Sequence, residues 1–161
     1  MKIAVCIKRV PEMDVRFKIA SNGLGVDETG LKWDISDFDG YAVEAALQMI
    51  EKLGTGEVVI ITLGPDSAQE TLRKALSMGA TRAVHLKADA IPFDNFAIAR
   101  ALAAELGSGG YDLILFGKMS IDSSNAAVGP MTAELLNMPC VAAASKLCTR
   151  VATSDHLTVP G

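Results

Sequence analysis

The chain has 161 residues, half of them hydrophobic, and a formal net charge of −4. This size and composition fit one globular domain able to bury roughly two thirds of its unfolded surface, and they exclude a disordered chain. The acidic balance argues against a nucleic-acid binder, no apolar run reaches the roughly 20 residues of a membrane-spanning helix, and "MKIAVCIKRVPEMD" is too briefly apolar for a signal peptide, so a cytoplasmic protein of prokaryotic type is expected.

In chain order, "KIAVCIK" is a short apolar run with β-branched residues and predicts a first strand. Cys6 inside it reads as a small buried hydrophobe. An irregular stretch follows, with turns at Ser21-Asn22-Gly23 and Glu28-Thr29-Gly30. It predicts a β-hairpin excursion over about 12–35 in which "VRFKIA" pairs with "GLKWDI". Ser36 or Asp37 then caps a helix over "FDGYAVEAALQMIEKLG", whose apolar residues recur every three or four positions and which Gly54 ends. "EVVIITLG" is continuously apolar, as in a strand buried on both faces. Asp66 or Ser67 starts the next helix, "AQETLRKALSMG". Then come a strand "RAVHLKA", a helix "FDNFAIARALAAELGS", a strand "YDLILFG" of the buried kind and a helix "GPMTAELLNM". "CVAAASKLCTRVATSDHLTV" predicts a terminal hairpin over about 140–161. "HLTVPG" stops where a strand is under way, which predicts that the chain is part of something longer.

Strands alternating with helices of this length mean βαβ units, hence an α/β fold with a doubly wound parallel sheet, here a single domain over 1–161. Ligands of such sheets bind beyond the carboxyl ends of the strands, where strand order reverses. Three loops leave those ends, after Lys8, Leu63 and Phe116. In "LGPDSAQETLRKAL" the N–H groups at the helix start are able to bind an anion, or Gly64-Pro65 only breaks the strand while Asp66 caps. The loop "FGKMSIDSSNAAVGP" is richer. Gly117 and Gly129 allow close backbone approach, Ser123, Ser124 and Asn125 are small polar groups near a helix start, and Lys118 is placed to counter a phosphate. Asp122 serves either as a capping acid or to orient backbone, ribose or magnesium. The loop is neither a Walker A sequence nor G-x-G-x-x-G.

Catalytic constellations are missing: there is no G-x-S-x-G and no H-E-x-x-H. Cys6, Cys140 and Cys148 form no C-x-x-C pair, and with only His85 and His156 beside them no zinc site is expected. An odd cysteine count without a framework fits a reducing compartment. His85 reads as a strand residue at the core edge or surface, and His156 as solvated.

"CIKRVPE", "YAVEAAL", "VIITLGPDSAQETLRKALSMGATRAVHL" and "DLILFGKMSIDSSNAAVGPMTAELLNMP" together resemble the β subunit of electron-transfer flavoprotein, in register over nearly the whole chain. The resemblance implies a Rossmann-like sheet of the adenine-nucleotide α-hydrolase type. It implies a heterodimer with an α subunit that holds most of the electron-carrying FAD, and a β subunit that binds AMP or, in bifurcating members, a second FAD. It further implies electrons arriving from acyl-CoA or other dehydrogenases, in an electron carrier without catalytic residues of its own. Carried over by motif, Cys6 flanks the adenine and Ser36 stands near the ribose or base. Leu63 and Gly64 line the pocket, and Gly117, Asp122, Ser123, Ser124, Asn125, Ala126, Ala127 and Val128 surround the phosphate. The departures are Ser36-Asp37-Phe38-Asp39, where the family has Asn-Pro-(Phe/Tyr)-Asp, and Ala126-Ala127-Val128, which replace amide and hydroxyl side chains and leave backbone N–H groups to bind. Two rival readings are a docking subunit with a decayed nucleotide site and a stand-alone adenine-nucleotide binder. The family also extends past this chain's end, through a loop that docks dehydrogenases and an arm that wraps the α subunit.

Overall fold

The computed structural model describes residues 1–12, 14–23, 25–89 and 94–147. Among them the apolar runs and helical periods become ten elements. These are β1 (Lys2–Cys6), β2 (Arg9–Pro11), β3 (Trp33–Ile35), α1 (Asp37–Leu53), β4 (Glu57–Gly64), α2 (Ala68–Ser77), β5 (Arg82–Lys87), α3 (Asn95–Ser108), β6 (Leu113–Phe116) and α4 (Val128–Leu135).

Four strands form one sheet in the order β5-β4-β1-β6, with every pairing parallel. The apolar run of β4 alternates between two cores. Val58 and Ile60 join Ile3 and Val5 against Val43, Ala46 and Met49 of α1 and Leu72 and Ala75 of α2. Val59 and Ile61 join Ala4 and Cys6 against Leu102 and Leu106 of α3, with Val128 of α4 packed alongside. Helices thus cover both faces, which is the doubly wound α/β arrangement expected from the alternation of elements. The chain runs outward from β1 through β4 to β5, then returns to place β6 on the other side of β1. Strand order reverses between β1 and β6, and the crevice beyond their carboxyl ends is the switch point.

Local chemistry sets the helix ends. Gly54 closes α1 in the left-handed conformation (φ 72°), its N–H bonded to the Ile50 and Glu51 carbonyls. Asp94 caps α3, its carboxylate accepting from Phe96 N at 2.9 Å. Asp94→Ala should lower stability by about 1 kcal/mol, read by urea denaturation. The α2 start differs from expectation: neither Asp66 nor Ser67 caps with its side chain, and Asp66 instead pairs with Lys87 Nζ at 2.8 Å.

Three other expectations are corrected. The excursion pairs β2 with β3, Arg9 opposite Ile35 and Val10 opposite Asp34, and not "VRFKIA" with "GLKWDI". Val10 and Ile35 are buried, whereas Phe17 and Ile19 face solvent, so burial rewards the first pairing. Ile19 and Val26 form only an isolated bridge. Arg9 lies over the Trp33 ring, 3.4 Å from its centroid. Second, β6 is only half-buried along its length: among the described residues it is an edge strand beside β1, with Leu113 and Leu115 packed on the first core and Ile114 and Phe116 on the second. Third, residues 140–147 of the expected terminal hairpin contain no strand; Ala143 there has a φ of 55°, which an extended strand does not tolerate. The remainder of that hairpin, with Cys148 and His156, lies outside the described residues. No described helix is long and apolar enough to cross a membrane.

Candidate functional site

At the switch point, α1 begins beneath the two loops that leave β1 and β6, and its first residues hold both. Ser36 is fully buried. Its N–H donates to the Lys8 carbonyl at 3.1 Å, and its hydroxyl accepts from Ile121 N at 3.2 Å instead of capping its own helix. Asp39, one turn on, is buried as well. Its Oδ2 accepts from Lys8 N at 2.8 Å and its Oδ1 from Gly117 N at 3.0 Å. One carboxylate thus spans the exits of β1 and β6. Burial pushes Asp39 up to about 6, against the pull of those two N–H groups and of the nearby Lys8 charge.

Above this floor the Lys8 ammonium stands 2.8 Å from both carboxylate oxygens of Asp122 and 3.4 Å from the Ser120 and Ser123 hydroxyls. Those two hydroxyls are themselves 2.9 Å apart. Asp122 also accepts from Ser123 N at 2.7 Å. Partial burial works against its charge, but bonds from Lys8, Ser120 and Ser123 hold its carboxyl below the ordinary value. Ser124 and Ala126 take left-handed φ of 54° and 50°, a conformation that costs a residue with a side chain roughly 1–2 kcal/mol. Asn125 reaches the start of α3, with Nδ2 3.3 Å from Asn95 Oδ1.

The candidate residues fall into three groups. Gly117, Asp122, Ser123 and Ser36 meet Lys8 or the loop it holds directly. Ser124, Asn125, Ala126 and Ala127 continue that loop into α4, whose first residue, Val128, packs on the second core. Cys6 ends β1 between Ile61 and Phe116, buried as expected, and burial followed by the Asp39 charge pushes its thiol far up, so it stays protonated. Leu63 and Gly64 stand one strand over. The Gly64 carbonyl is bonded to Ala88 N and lies 2.9 Å from His85 Nε2, which places His85 at the core edge. Gly129 lies within α4 against the Phe116 ring. Lys118 is exposed at the loop start, and Lys8 is the cation at the centre.

Sequence reasoning missed Lys8 and Asp39 as site residues. The loop after Lys8 was in view, but Asp39 entered only as the last residue of Ser36-Asp37-Phe38-Asp39, with no role given to it. A cleft of about 280 Å³ opens beside Ile121 towards the hairpin, lined by Glu12, Asp14, Asp34 and Asp37. Its carboxylates repel a phosphate, whereas the Lys8 crevice holds the cation and the open loop amides.

Residues 23–159 match the electron transfer flavoprotein domain. The chain is 39% identical over 153 residues to the mitochondrial electron transfer flavoprotein subunit beta of Oryza sativa subsp. japonica, covering 91% of this chain and 59% of the relative. It is 36% identical over 147 residues to the subunit beta of Bradyrhizobium diazoefficiens, with the same coverage. It is 35% identical over 142 residues to the human subunit beta, covering 86% of this chain and 56% of the relative. The chain thus spans less than two thirds of the length of these relatives. With the domain match covering most of its residues and the parallel sheet reversing at β1 and β6, the chain belongs to the electron transfer flavoprotein β-subunit family.

Proposed function

We propose that this chain binds an adenine nucleotide, AMP first and FAD second, in the crevice between the carboxyl ends of β1 and β6. As a β subunit it would pair with an α subunit carrying FAD and serve electron transfer from dehydrogenases. The observation that carries this reading is the Lys8 crevice. A lysine ammonium, two serine hydroxyls and a loop of small residues entering a helix meet at the switch point of a doubly wound sheet. The residues present fit the group. Ser123, Ser124 and the amides of residues 125–128 would hold the phosphate, the Ser124 amide being spent on the Ser120 carbonyl at 3.0 Å, and Lys8 would supply the countercharge. Ala126 and Ala127 bring no side-chain polar atom, so the contacts there come from backbone.

The left-handed conformations of Ser124 and Ala126 support the reading, because such strain is kept where a loop must present its amides in one direction. Buried, protonated Cys6 suits a packing role under the base and no covalent one. A bound flavin would supply the redox chemistry; the chain's own part is to bind, orient and exclude water.

One observation favours a second reading, a docking subunit without nucleotide: Lys8 is already neutralised by Asp122. Calorimetric titration of the folded chain separates the two. Saturable binding of AMP or FAD, weakened at least tenfold by Lys8→Met, is the expected result. Absence of heat with either nucleotide would leave the docking reading.

A further inference from the structure

We infer that Asp39 is the positioning residue of the nucleotide crevice: its carboxylate fixes the backbone of both loops that form the site and touches no ligand itself. This inference rests on the nucleotide reading above.

Asp39 accepts one N–H from each side of the switch point, Lys8 after β1 and Gly117 after β6, although these partners lie far apart in sequence. Lys8 carries the central ammonium and Gly117 begins the phosphate loop, so one side chain sets the distance between the cation and the loop. Ser36 repeats the arrangement with backbone and hydroxyl, binding the Lys8 carbonyl and Ile121 N. Gly117 is shaped to this contact: a Cβ there would strike Asp39 Oδ1 and approach Asp39 N and Phe38 C to 2.7 Å. An uncharged core residue would serve packing equally well. A buried carboxylate is kept because an ionised acid accepts two N–H bonds at once, each stronger than a neutral one.

A proton on either oxygen weakens the bond which that oxygen accepts. The charged and titratable groups facing Asp39 are the Lys8 ammonium, Asp122 from the loop after β6, and the Cys6 thiol in β1. Asp122 is held low by Lys8, and the thiol is pushed up by burial. Of these acids Asp39 alone changes charge in the mildly acidic range.

The test compares AMP affinity of the wild-type chain and Asp39→Asn at about pH 7.5 and about pH 5. At the higher pH the variant should bind about tenfold more weakly. At the lower pH, where wild-type Asp39 is itself protonated, the ratio should close towards one. The phosphate of AMP titrates in the same range, but equally for both proteins, so it divides out of the ratio. An unchanged affinity at the higher pH, or a ratio constant across pH as simple loss of packing would give, overturns the inference. The backbone amides of Lys8 and Gly117 provide a ligand-free reading in the wild-type chain. They should shift together with one midpoint near the Asp39 value, with faster hydrogen exchange in residues 117–127 on the acid side. Amides that do not move overturn the inference even if Asp39→Asn fails to fold. If the wild type binds neither AMP nor FAD, the nucleotide reading falls, and the clamp is judged on those amides alone.

Discussion

Gly117→Ala should destabilise the protein by about 3 kcal/mol, lowering the melting temperature by roughly 6–12 °C for a domain of this size. The added methyl would meet Asp39 Oδ1, Asp39 N and Phe38 C, and two of those three atoms are backbone at the start of α1. A flexible side chain can swing aside from such a contact, but a helix terminus cannot. Relief requires α1 to withdraw from β6, and that movement breaks the Gly117 N–H bond to Asp39. Gly40, one residue further into α1, is the control. A Cβ there meets nothing within 4 Å, so Gly40→Ala should raise stability by about 0.5–1 kcal/mol through helix propensity alone. Opposite signs at Gly117, which abuts the start of α1, and at Gly40, which is open, read by thermal or urea denaturation, would identify the close approach at the switch point as the cause. Equal small effects would show that the α1–β6 approach is loose.

Asp39→Asn should change how stability depends on pH. The Asp39 carboxyl lies at about 6 in the folded chain against an ordinary 3.8, and the folded state therefore binds the proton more tightly. Below the ordinary value both states carry the proton and the contribution is fully present. Between the two values the unfolded state has lost the proton while the folded state keeps it, so stability falls as pH rises. Above about 6 both are ionised and the loss is complete. At about 1.4 kcal/mol per pH unit this amounts to about 3 kcal/mol. Urea denaturation at about pH 4 and about pH 7 should show wild type losing most of that amount relative to Asp39→Asn, in which the group cannot titrate. A parallel pH dependence in the two proteins would mean that Asp39 is not desolvated as the structure has it. The sign matters for function. An ionised, buried carboxylate destabilises the fold at neutral pH, and such groups persist where they serve a site.

The central strands and helices were legible because their patterns have one physical meaning. The run Glu57–Gly64 is apolar at every interior position but Thr62, whose hydroxyl donates to the Ile7 carbonyl, and the strand occupies those same residues, because a middle strand of a parallel sheet faces helices on both sides. The α1 span was fixed at its far end by Gly54. The excursion was not legible in its pairing. Val15–Ala20 has good strand composition, yet its large residues are exposed and nothing rewards their pairing, while three-residue strands at Arg9 and Trp33 gain buried Val10 and Ile35. The candidate site was partly legible. Small residues and glycine after a buried strand pointed to Gly117–Val128, but the group that organises it is 78 residues away in sequence. Asp39 sits in a helical first turn, where an acid ordinarily faces the helix dipole. Only the return of β6 to the side of β1 turns it into a bridge. Lys8 was hidden for the same reason: its partners Ser120, Asp122 and Ser123 come from the opposite end of the chain.

The most direct test of a nucleotide at the switch point is to follow backbone amide resonances of the folded chain while AMP is added. Saturable shifts should concentrate at Lys8, Gly117 and residues 120–128, with smaller ones at Cys6 and Ser36, and the acidic cleft of Glu12, Asp14, Asp34 and Asp37 should remain unmoved. Shifts confined to that cleft, or none at saturating AMP or FAD, would contradict a nucleotide site between β1 and β6.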